Sequence, residues 1–444
     1  MINKLTNRRK IVSIKKGLNY PYGIHVPDNK ELTKDKPIEI MPAPTKVYLS
    51  MSQHIGAPAI PVVNVGDCVK KGQLVGEASG VISANVFSSV SGTVTAIEPM
   101  VNAMGQKSTY VIIENDGKDE EVFLDDMTEF TPSALVERIR LAGIVGLGGA
   151  GFPTAVKLSP KTQLDTLIIN GAECEPYLNC DYRLMLERTD DIYKGIKWTA
   201  AALNIKKIII GIEGNKPKAL QAFEKYSDLE VVCLKQQYPM GSEKHLIYCT
   251  TKRKVPCGKM PFDVGVCVQN IKTMIACYEA IEKNIPLTET VITVSGNGVK
   301  QSKNLKIALG TSFNDLIDYC GGIDQDTIKL VSGGPMMGKA LMGLNVYATK
   351  TSSGLLCLKE SEVSLKDATN CINCGMCARN CPMRLMPMYI ESYTLAGDFK
   401  NAEKYGAMNC IECGSCAYNC PAKRALVQSI SFAKVKIKEM KKNG

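Results

Sequence analysis

Short alternating runs separated by glycines dominate the first part of the chain. Val62-Val63-Asn64-Val65 and Gly92-Thr93-Val94-Thr95-Ala96-Ile97, punctuated by Gly66, Gly72, Gly76 and Gly80, predict a small β domain over 47–98, because period-two patterning between glycine turns suits short half-buried strands. From about Thr131 the period changes. Residues 134–141 have helical apolar spacing with Ser133 as the expected cap, Thr166-Leu167-Ile168-Ile169 reads as a buried strand, and a helix over 192–203 leads into a strand at Ile208-Ile209-Ile210. Helices alternating with strands predict an α/β unit with mostly parallel pairing. A β-rich piece begins at Val291-Ile292-Thr293-Val294-Ser295-Gly296, passes a helix near 312–320 and breaks at Gly333-Gly334-Pro335. Beyond Lys366 the chain turns helical, with helices expected over 389–396 and 399–405 and a lysine-rich tail over 434–442. The pattern predicts an α+β multidomain chain divided into 1–125, 126–287, 288–350 and 351–444.

With 444 residues and 45% apolar content, the chain has room for about three domains and is neither disordered nor embedded in a membrane. No stretch approaches the ~18 consecutive apolar residues of a transmembrane helix. Lys4, Arg8, Arg9, Lys10 and Lys15 precede Lys16 with no apolar segment after them, which predicts a cytoplasmic chain. In a reducing compartment the 18 cysteines are expected to be metal or redox ligands rather than disulfides. The formal charge of +10 is spread along the chain, so no basic stripe for nucleic acid is formed. His25, His54 and His245 are scattered, which argues against a histidine metal site or histidine acid/base chemistry.

Eight of the cysteines form a repeat. Cys371-Ile-Asn-Cys374-Gly-Met-Cys377-Ala-Arg-Asn-Cys381-Pro382 and Cys410-Ile-Glu-Cys413-Gly-Ser-Cys416-Ala-Tyr-Asn-Cys420-Pro421 are both C-x2-C-x2-C-x3-C-P, the run that binds [4Fe-4S] clusters in bacterial ferredoxins. Three closely spaced thiolates wrap one cluster and the fourth reaches the other. Cys371, Cys374, Cys377 and Cys420 are therefore expected to hold one cluster, and Cys410, Cys413, Cys416 and Cys381 the second. Two structural zinc sites are the competing reading, disfavoured because zinc prefers separated cysteine pairs. The helices expected between the repeats predict a helical ferredoxin module. The other ten cysteines show no ligand spacing and read as small buried hydrophobes.

Gly146-Leu-Gly148-Gly149-Ala-Gly151 satisfies G-x-G-x-x-G, but it follows a helix rather than a strand, contrary to the dinucleotide fingerprint. Its exposed amides could still approach a phosphate or a ring, with the following helix start favouring an anion. A purely structural turn is the alternative.

GLGGAGFPTAVKL (146–158) closely resembles the flavin and NADH loop of the complex I flavoprotein subunit. Asn170-Gly171-Ala172-Glu173-Cys174-Glu175-Pro176 resembles that family's Asn-x-x-Glu-x-Glu-Pro segment, and YPMGSEKHLI (238–247) and DVGVCVQNIKT (263–273) match it in order. VGDCVKKGQLVGE (65–77) and VSGTVTAIE (90–98) resemble the barrel-sandwich hybrid of biotinyl and lipoyl carriers, although no lysine stands between Lys71 and Lys107 to carry a cofactor. A docking or packing role is expected for it. The piece after Thr290 resembles the SLBB β-grasp domain, for which a scaffold role is expected. Over 25–422 the chain resembles the RnfC family of the Rnf complex, an ion-pumping oxidoreductase linking NADH and ferredoxin.

The resemblance implies a barrel-sandwich module, a Rossmann-like α/β domain for FMN and NAD(H), a β-grasp domain and a ferredoxin domain with two [4Fe-4S] clusters. It implies FMN against Gly146, Gly148, Gly149 and Gly151 with Lys157 nearby, bonds to the flavin from Asn170 and Glu173, and a phosphate held by Asn270 and Thr273. Glu175 and Glu243 would line the nicotinamide side, with Phe152 near the adenine and Gly241 among the cofactor-binding residues. A capping or solvated role is the alternative for Glu173 and Glu175. Leu147 replaces the family's arginine, Leu158-Ser159-Pro160 its second aromatic, and Ala172 its aspartate. The implied chemistry is hydride exchange between NADH and FMN and single-electron passage through the clusters, on the cytoplasmic face of the membrane. The implied partners are other Rnf subunits, NADH and, indirectly, ferredoxin. A corrinoid reductase is the rival reading, disfavoured because those relatives carry the barrel-sandwich module last. A non-enzymatic electron-carrying adaptor is the third. With two clusters at about −2 each and FMN at about −2, the loaded chain would carry about +4, which removes the case for a nucleic-acid partner. The lysine-rich tail reads as a solvated helix end, with an anionic lipid surface as its alternative.

Overall fold

Five parallel strands form the sheet of the α/β unit, in the order Lys15–Lys16, Glu230–Leu234, Lys207–Glu213, Thr166–Gly171, Val266–Asn270. The computed structural model describes residues 14–103 and 105–443, so Lys4, Arg8, Arg9 and Lys10 lie outside the described residues. Leu167, Ile169, Ile208 and Ile210 belong to a core shared with Ile192 and Ile196 of helix Thr189–Ala202 and with Met274 of helix Ile271–Glu282. Ile168 and Ile209 face the opposite layer, against Leu246 and Ile247. Burial on both faces explains why these strands read as unbroken apolar runs. The first helix of the unit, Pro132–Leu141, is capped by Thr131, whose hydroxyl accepts from the Ala134 N–H. Ser133 stands inside the helix rather than at its cap, because Pro132 takes the first helical position.

The barrel-sandwich module consists of a four-stranded sheet (Lys46–Ser50, Lys107–Asn115, Gly92–Val101, Cys68–Val69) and a three-stranded one (Ile60–Pro61, Leu74–Glu77, Val86–Phe87). The strands before Lys46 join other sheets. Lys15–Lys16 adds an edge to the parallel sheet and Ile38–Ile40 adds one to the β-grasp sheet. That sheet has six strands, and Gly354–Lys359 lies in its interior between Thr327–Ser332 and Glu289–Ser295. The β-grasp unit therefore extends past residue 350 by this one strand. In the C-terminal domain, helices Pro387–Leu395, Phe399–Lys404 and Leu426–Asn443 pack around Ile390, Ala402, Ile430, Ala433 and Ile437. The lysine-rich tail continues this last helix, with Lys434 paired to Glu412 and Lys441 to Glu403. Among the described residues no helix is long and apolar enough to cross a membrane.

Lys350 joins three of these units. Its buried ammonium donates to the carbonyls of Asn85 and Gly143, and its own N–H donates to Gln53 Oε1 at 3.0 Å. Burial pushes the amine down to about 7. Between that value and the ordinary lysine range the unfolded chain binds a proton that the folded chain does not, so this residue's contribution to stability rises with pH in that window. Lys350→Met should remove the slope. In thermal melts from about pH 7 to about pH 9, the wild-type midpoint should gain on that of the variant as the pH rises.

Candidate functional site

Strand Thr166–Gly171 has Lys207–Glu213 on one side and Val266–Asn270 on the other, so the direction of sheet growth reverses at the second junction. Ligands of open parallel sheets sit outside the carboxyl ends of the strands at such a reversal. Asn170 and Asn270 are register partners at those ends. Beside them opens a cleft lined by residues of both strand ends, the acidic segment and the 239–242 loop. Asn270 Oδ1 caps helix Ile271–Glu282 by accepting from the Lys272 N–H at 2.8 Å, and its Nδ2 donates to Asp181 at 2.7 Å. Asn170 Nδ2 donates to the Gly241 carbonyl at 2.8 Å, which secures the opposite wall.

The glycine loop closes one side of the cleft. Gly148 and Gly149 have N–H groups that take no part in the backbone hydrogen-bond network of the described residues. A side chain at Gly148 would come within 2.3 Å of Asn270 Nδ2 and 2.8 Å of its Cβ. Gly148→Ala should thus push Asn270 off its cap and its bond to Asp181. Overpacking of this kind costs about 1–3 kcal/mol, so FMN should bind about tenfold more weakly while iron content is unchanged. Flavin released on acid treatment, counted against iron, checks this.

The acidic segment lies across the floor. Glu173 adopts a left-handed backbone and accepts from the N–H groups of Asp181 at 2.6 Å and Tyr182 at 3.1 Å, so it caps helix Cys180–Glu187. Glu175 accepts from the Met336 N–H at 3.1 Å and lies 3.3 Å from the Tyr238 hydroxyl. Burial raises both carboxyls above the usual range. Two buried lysines hold the backbone of this segment. Lys30 donates to the carbonyls of Glu175 and Leu178, and Lys216 to that of Ala172 at 2.6 Å and to Glu213 at 3.3 Å.

The eight repeat cysteines line two hollows. Cys371, Cys374, Cys377 and Cys420 face one of about 370 Å3, and Cys381, Cys410, Cys413 and Cys416 the other, of about 340 Å3. The two copies share left-handed backbone at Asn373 and Glu412, at Gly375 and Gly414, and at Arg384 and Lys423. At Gly414 the conformation is also required by space, since a Cβ would lie 2.6 Å from the Met336 carbonyl. Burial pushes the Cys410 thiol up to about 11 and raises those of Cys413 and Cys416. Thiolates in such a hollow need a cation to hold them, which a cluster's iron supplies. The second hollow adjoins the cleft, because Ile411 and Cys413 line both. The first is on the surface, with Cys371 and Cys374 exposed.

Of the residues read from the sequence, Gly148, Asn170, Glu173, Glu175, Gly241 and Asn270 line the cleft. Gly146, Gly149, Gly151, Phe152, Lys157, Glu243 and Thr273 do not. Thr273 stands behind the loop and its hydroxyl accepts from the Leu147 N–H at 3.1 Å. Lys157 pairs with Glu243 at 2.6 Å, partly exposed. Gly151 packs on the barrel-sandwich module, where a Cβ would lie 3.1 Å from the Gln53 carbonyl. That gives the module its packing role. The Gly146 N–H donates to the Phe152 carbonyl at 2.9 Å, closing the loop on itself instead of facing a ligand. Lys30, Asp181 and Lys216 carry no motif that singles them out in the sequence, and Tyr238 opens the 238–247 phrase without a role of its own. Asp181 adjoins a segment already read as acidic, whereas Lys30 sits in a stretch with no periodic signal.

Comparison with known proteins follows this division. Residues 18–118 match the family described as the RnfC barrel sandwich hybrid domain, 139–279 the Nuo51 FMN-binding domain, 291–340 the SLBB domain and 364–421 a 4Fe-4S dicluster domain. The chain is 46% identical over 422 residues to the C subunit of the proton-translocating ferredoxin:NAD(+) oxidoreductase complex of Clostridium ljungdahlii, covering 93% of this chain and 92% of that one. It is 42% identical to the C subunit of the ion-translocating oxidoreductase complex of Rhodobacter capsulatus, covering 94% and 83%. It is 41% identical to the C subunit of the Na(+)-translocating ferredoxin:NAD(+) oxidoreductase complex of Acetobacterium woodii, covering 95% and 98%.

Proposed function

The chain belongs to the RnfC family, the C subunits of ion-translocating ferredoxin:NAD(+) oxidoreductase complexes, and from that premise we propose how its residues carry electrons between a nicotinamide and the rest of the complex. The protein is the electron-transfer subunit that contains FMN and two [4Fe-4S] clusters, and its partners are the other subunits. FMN, when bound, supplies the exchange between two-electron hydride chemistry and one-electron transfer. The chain's own part is placement. Gly148 would present its N–H to the flavin, and the start of helix Ile271–Glu282 would offer its positive end to the phosphate, with Asn270 and the loop framing it. Lys30 and Lys216 hold the 172–178 backbone so that Glu173 and Glu175 stay at the cleft floor. The eight cysteines supply thiolates to the two clusters.

Cys413 carries this reading, because it lines both the flavin cleft and the second hollow. The cluster of Cys381, Cys410, Cys413 and Cys416 is thereby the inner one, and that of Cys371, Cys374, Cys377 and Cys420 the outer one that meets the next carrier. We assign the domains as an N-terminal strap with the barrel-sandwich module, the flavin domain, the β-grasp scaffold and the ferredoxin domain, bound peripherally at the cytoplasmic face of the membrane. Anaerobically purified protein should release FMN with acid, bleach with NADH and reduce ferricyanide. Clusters without any NADH response would leave the adaptor reading instead, and two zincs in place of iron would end both.

A further inference from the structure

Three hydrogen bonds, two of them buried and that of Tyr20 partly buried, reach the backbone of the inner cradle from outside the ferredoxin domain. Tyr238 donates its hydroxyl to the Cys413 carbonyl at 2.7 Å. The Tyr20 hydroxyl and His245 Nε2, the latter at 3.2 Å, both meet the carbonyl of Pro382, the residue after Cys381. A carbonyl has only lone pairs to offer, so Nε2 carries the imidazole proton. Nδ1 is then the bare nitrogen, and it is buried without a partner among the described residues. The Tyr20 and His245 rings meet edge to face with centroids 4.4 Å apart, so each holds the other in line with the same acceptor. An orphaned buried nitrogen costs free energy, and here it is tolerated in exchange for this one donor.

The three residues come from two places. Tyr238 and His245 lie in and beside the loop that forms the cleft wall, and His245 belongs to the same helix as Glu243. Tyr20 belongs to the strap that precedes the barrel-sandwich module. The outer cradle has no counterpart among the described residues: the donor to its Cys374 carbonyl is Arg379, which is exposed and belongs to the cradle itself.

We propose that Tyr20, Tyr238 and His245 are positioning residues that clamp the inner cradle to the flavin cleft and raise the potential of the inner cluster relative to the same cluster without them. The inference rests on the reading that Cys381, Cys410, Cys413 and Cys416 hold a cluster. Each donor turns the positive end of a dipole toward a ligand-bearing segment. Reduction adds one negative charge to the cluster and its thiolates, and a fixed positive dipole stabilises the more negative, reduced form more than the oxidised one. Hydrogen bonding around the ligands is one of the factors that set cluster potentials. Removing a donor therefore lowers the potential of the inner cluster and leaves the outer cluster alone.

The test is an EPR-monitored redox titration of the full chain with both clusters, for wild type, Tyr238→Phe, Tyr20→Phe, His245→Phe and His245→Gln. In the three phenylalanine variants one cluster should shift to lower potential, with up to about a tenfold fall in its reduced-to-oxidised ratio at a set potential, or ~59 mV for one electron. The other cluster should not move. His245→Gln keeps an amide donor near the Nε2 position and should restore the wild-type value. Adding Cys374→Ser, which removes the outer cluster, identifies the moving signal as the inner one. Full iron content with both potentials unchanged, or equal movement of both, would overturn the proposal. Iron lost from the inner cluster in His245→Phe and regained in His245→Gln supports the clamp, and iron lost in both overturns it. A wild-type chain without any cluster signal would instead overturn the cofactor reading, a result distinct from unshifted potentials.

Discussion

Replacing Cys413 with serine is expected to slow reduction of the outer cluster by NADH severely while NADH still bleaches the flavin. Cys413 faces both the flavin cleft and the inner hollow, and no other repeat cysteine lines the cleft among the described residues. Serine keeps the size of the side chain but offers a hard oxygen where iron–sulfur chemistry requires a soft thiolate. The iron content should fall from about eight to about four per chain. Disturbing groups that merely orient a ligand already costs about 10–100-fold in affinity or activity, so loss of the ligand itself should slow electron arrival at the outer cluster by about 100-fold or more. Cys371→Ser should do the reverse, leaving an inner cluster that NADH still reduces. Rapid-freeze EPR after mixing with NADH separates the two. Equal rates of outer-cluster reduction in Cys413→Ser and wild type would mean that electrons leave the flavin by another route.

A second large effect is expected from Lys30→Met. The Lys30 ammonium holds the carbonyls of Glu175 and Leu178 and lies 4.0 Å from Glu173, with the two side chains only 6% and 4% exposed. Burial lowers the lysine's affinity for its proton and raises the glutamate's, and each partner opposes that shift in the other. Breaking such a pair leaves a buried charge uncompensated, at a cost of about 3–5 kcal/mol. The variant should melt earlier and lose FMN, since the same residue steadies the cleft floor. Glu173→Gln in the Lys30→Met background should recover much of the stability, because the charge that lost its Lys30 partner is then removed. The pH dependence has a defined sign. Glu173 has its affinity for a proton raised by folding, so with Lys30 gone the folded chain binds a proton that the unfolded chain has released, and stability increases as pH falls through the raised value. A single variant whose melting point falls along with pH in that range would contradict the assignment of Glu173 as the uncompensated group.

Local chemistry was well represented along the chain. Apolar runs at Thr166 and Ile208 are strands buried on both faces, and the expected helices after Cys381 stand at Pro387–Leu395 and Phe399–Lys404. The cysteine spacing led to the two sets of four that line the hollows, because three of each set stand three residues apart in one short loop and the fourth is followed by proline. The Asn-x-x-Glu-x-Glu-Pro segment was legible as site-forming, though its first glutamate caps a helix. The N-terminal segment was not legible, because two- and three-residue edge strands carry too few positions for a period.

By itself, then, the sequence carried the two cysteine sets through spacing over a few residues, and the flavin, the nicotinamide and the order of the domains through its resemblance to a family. Only the tertiary structure decided which cysteine-lined hollow lies next to the cleft, which glycine needs its missing side chain, and which lysines and tyrosines hold the cleft together. Those depend on strand register and on the packing of segments far apart in the chain. Tyr238 meets Cys413, and Lys30 meets the Glu175 and Leu178 carbonyls, because separate elements bury their polar groups against one another, and no local pattern encodes those meetings.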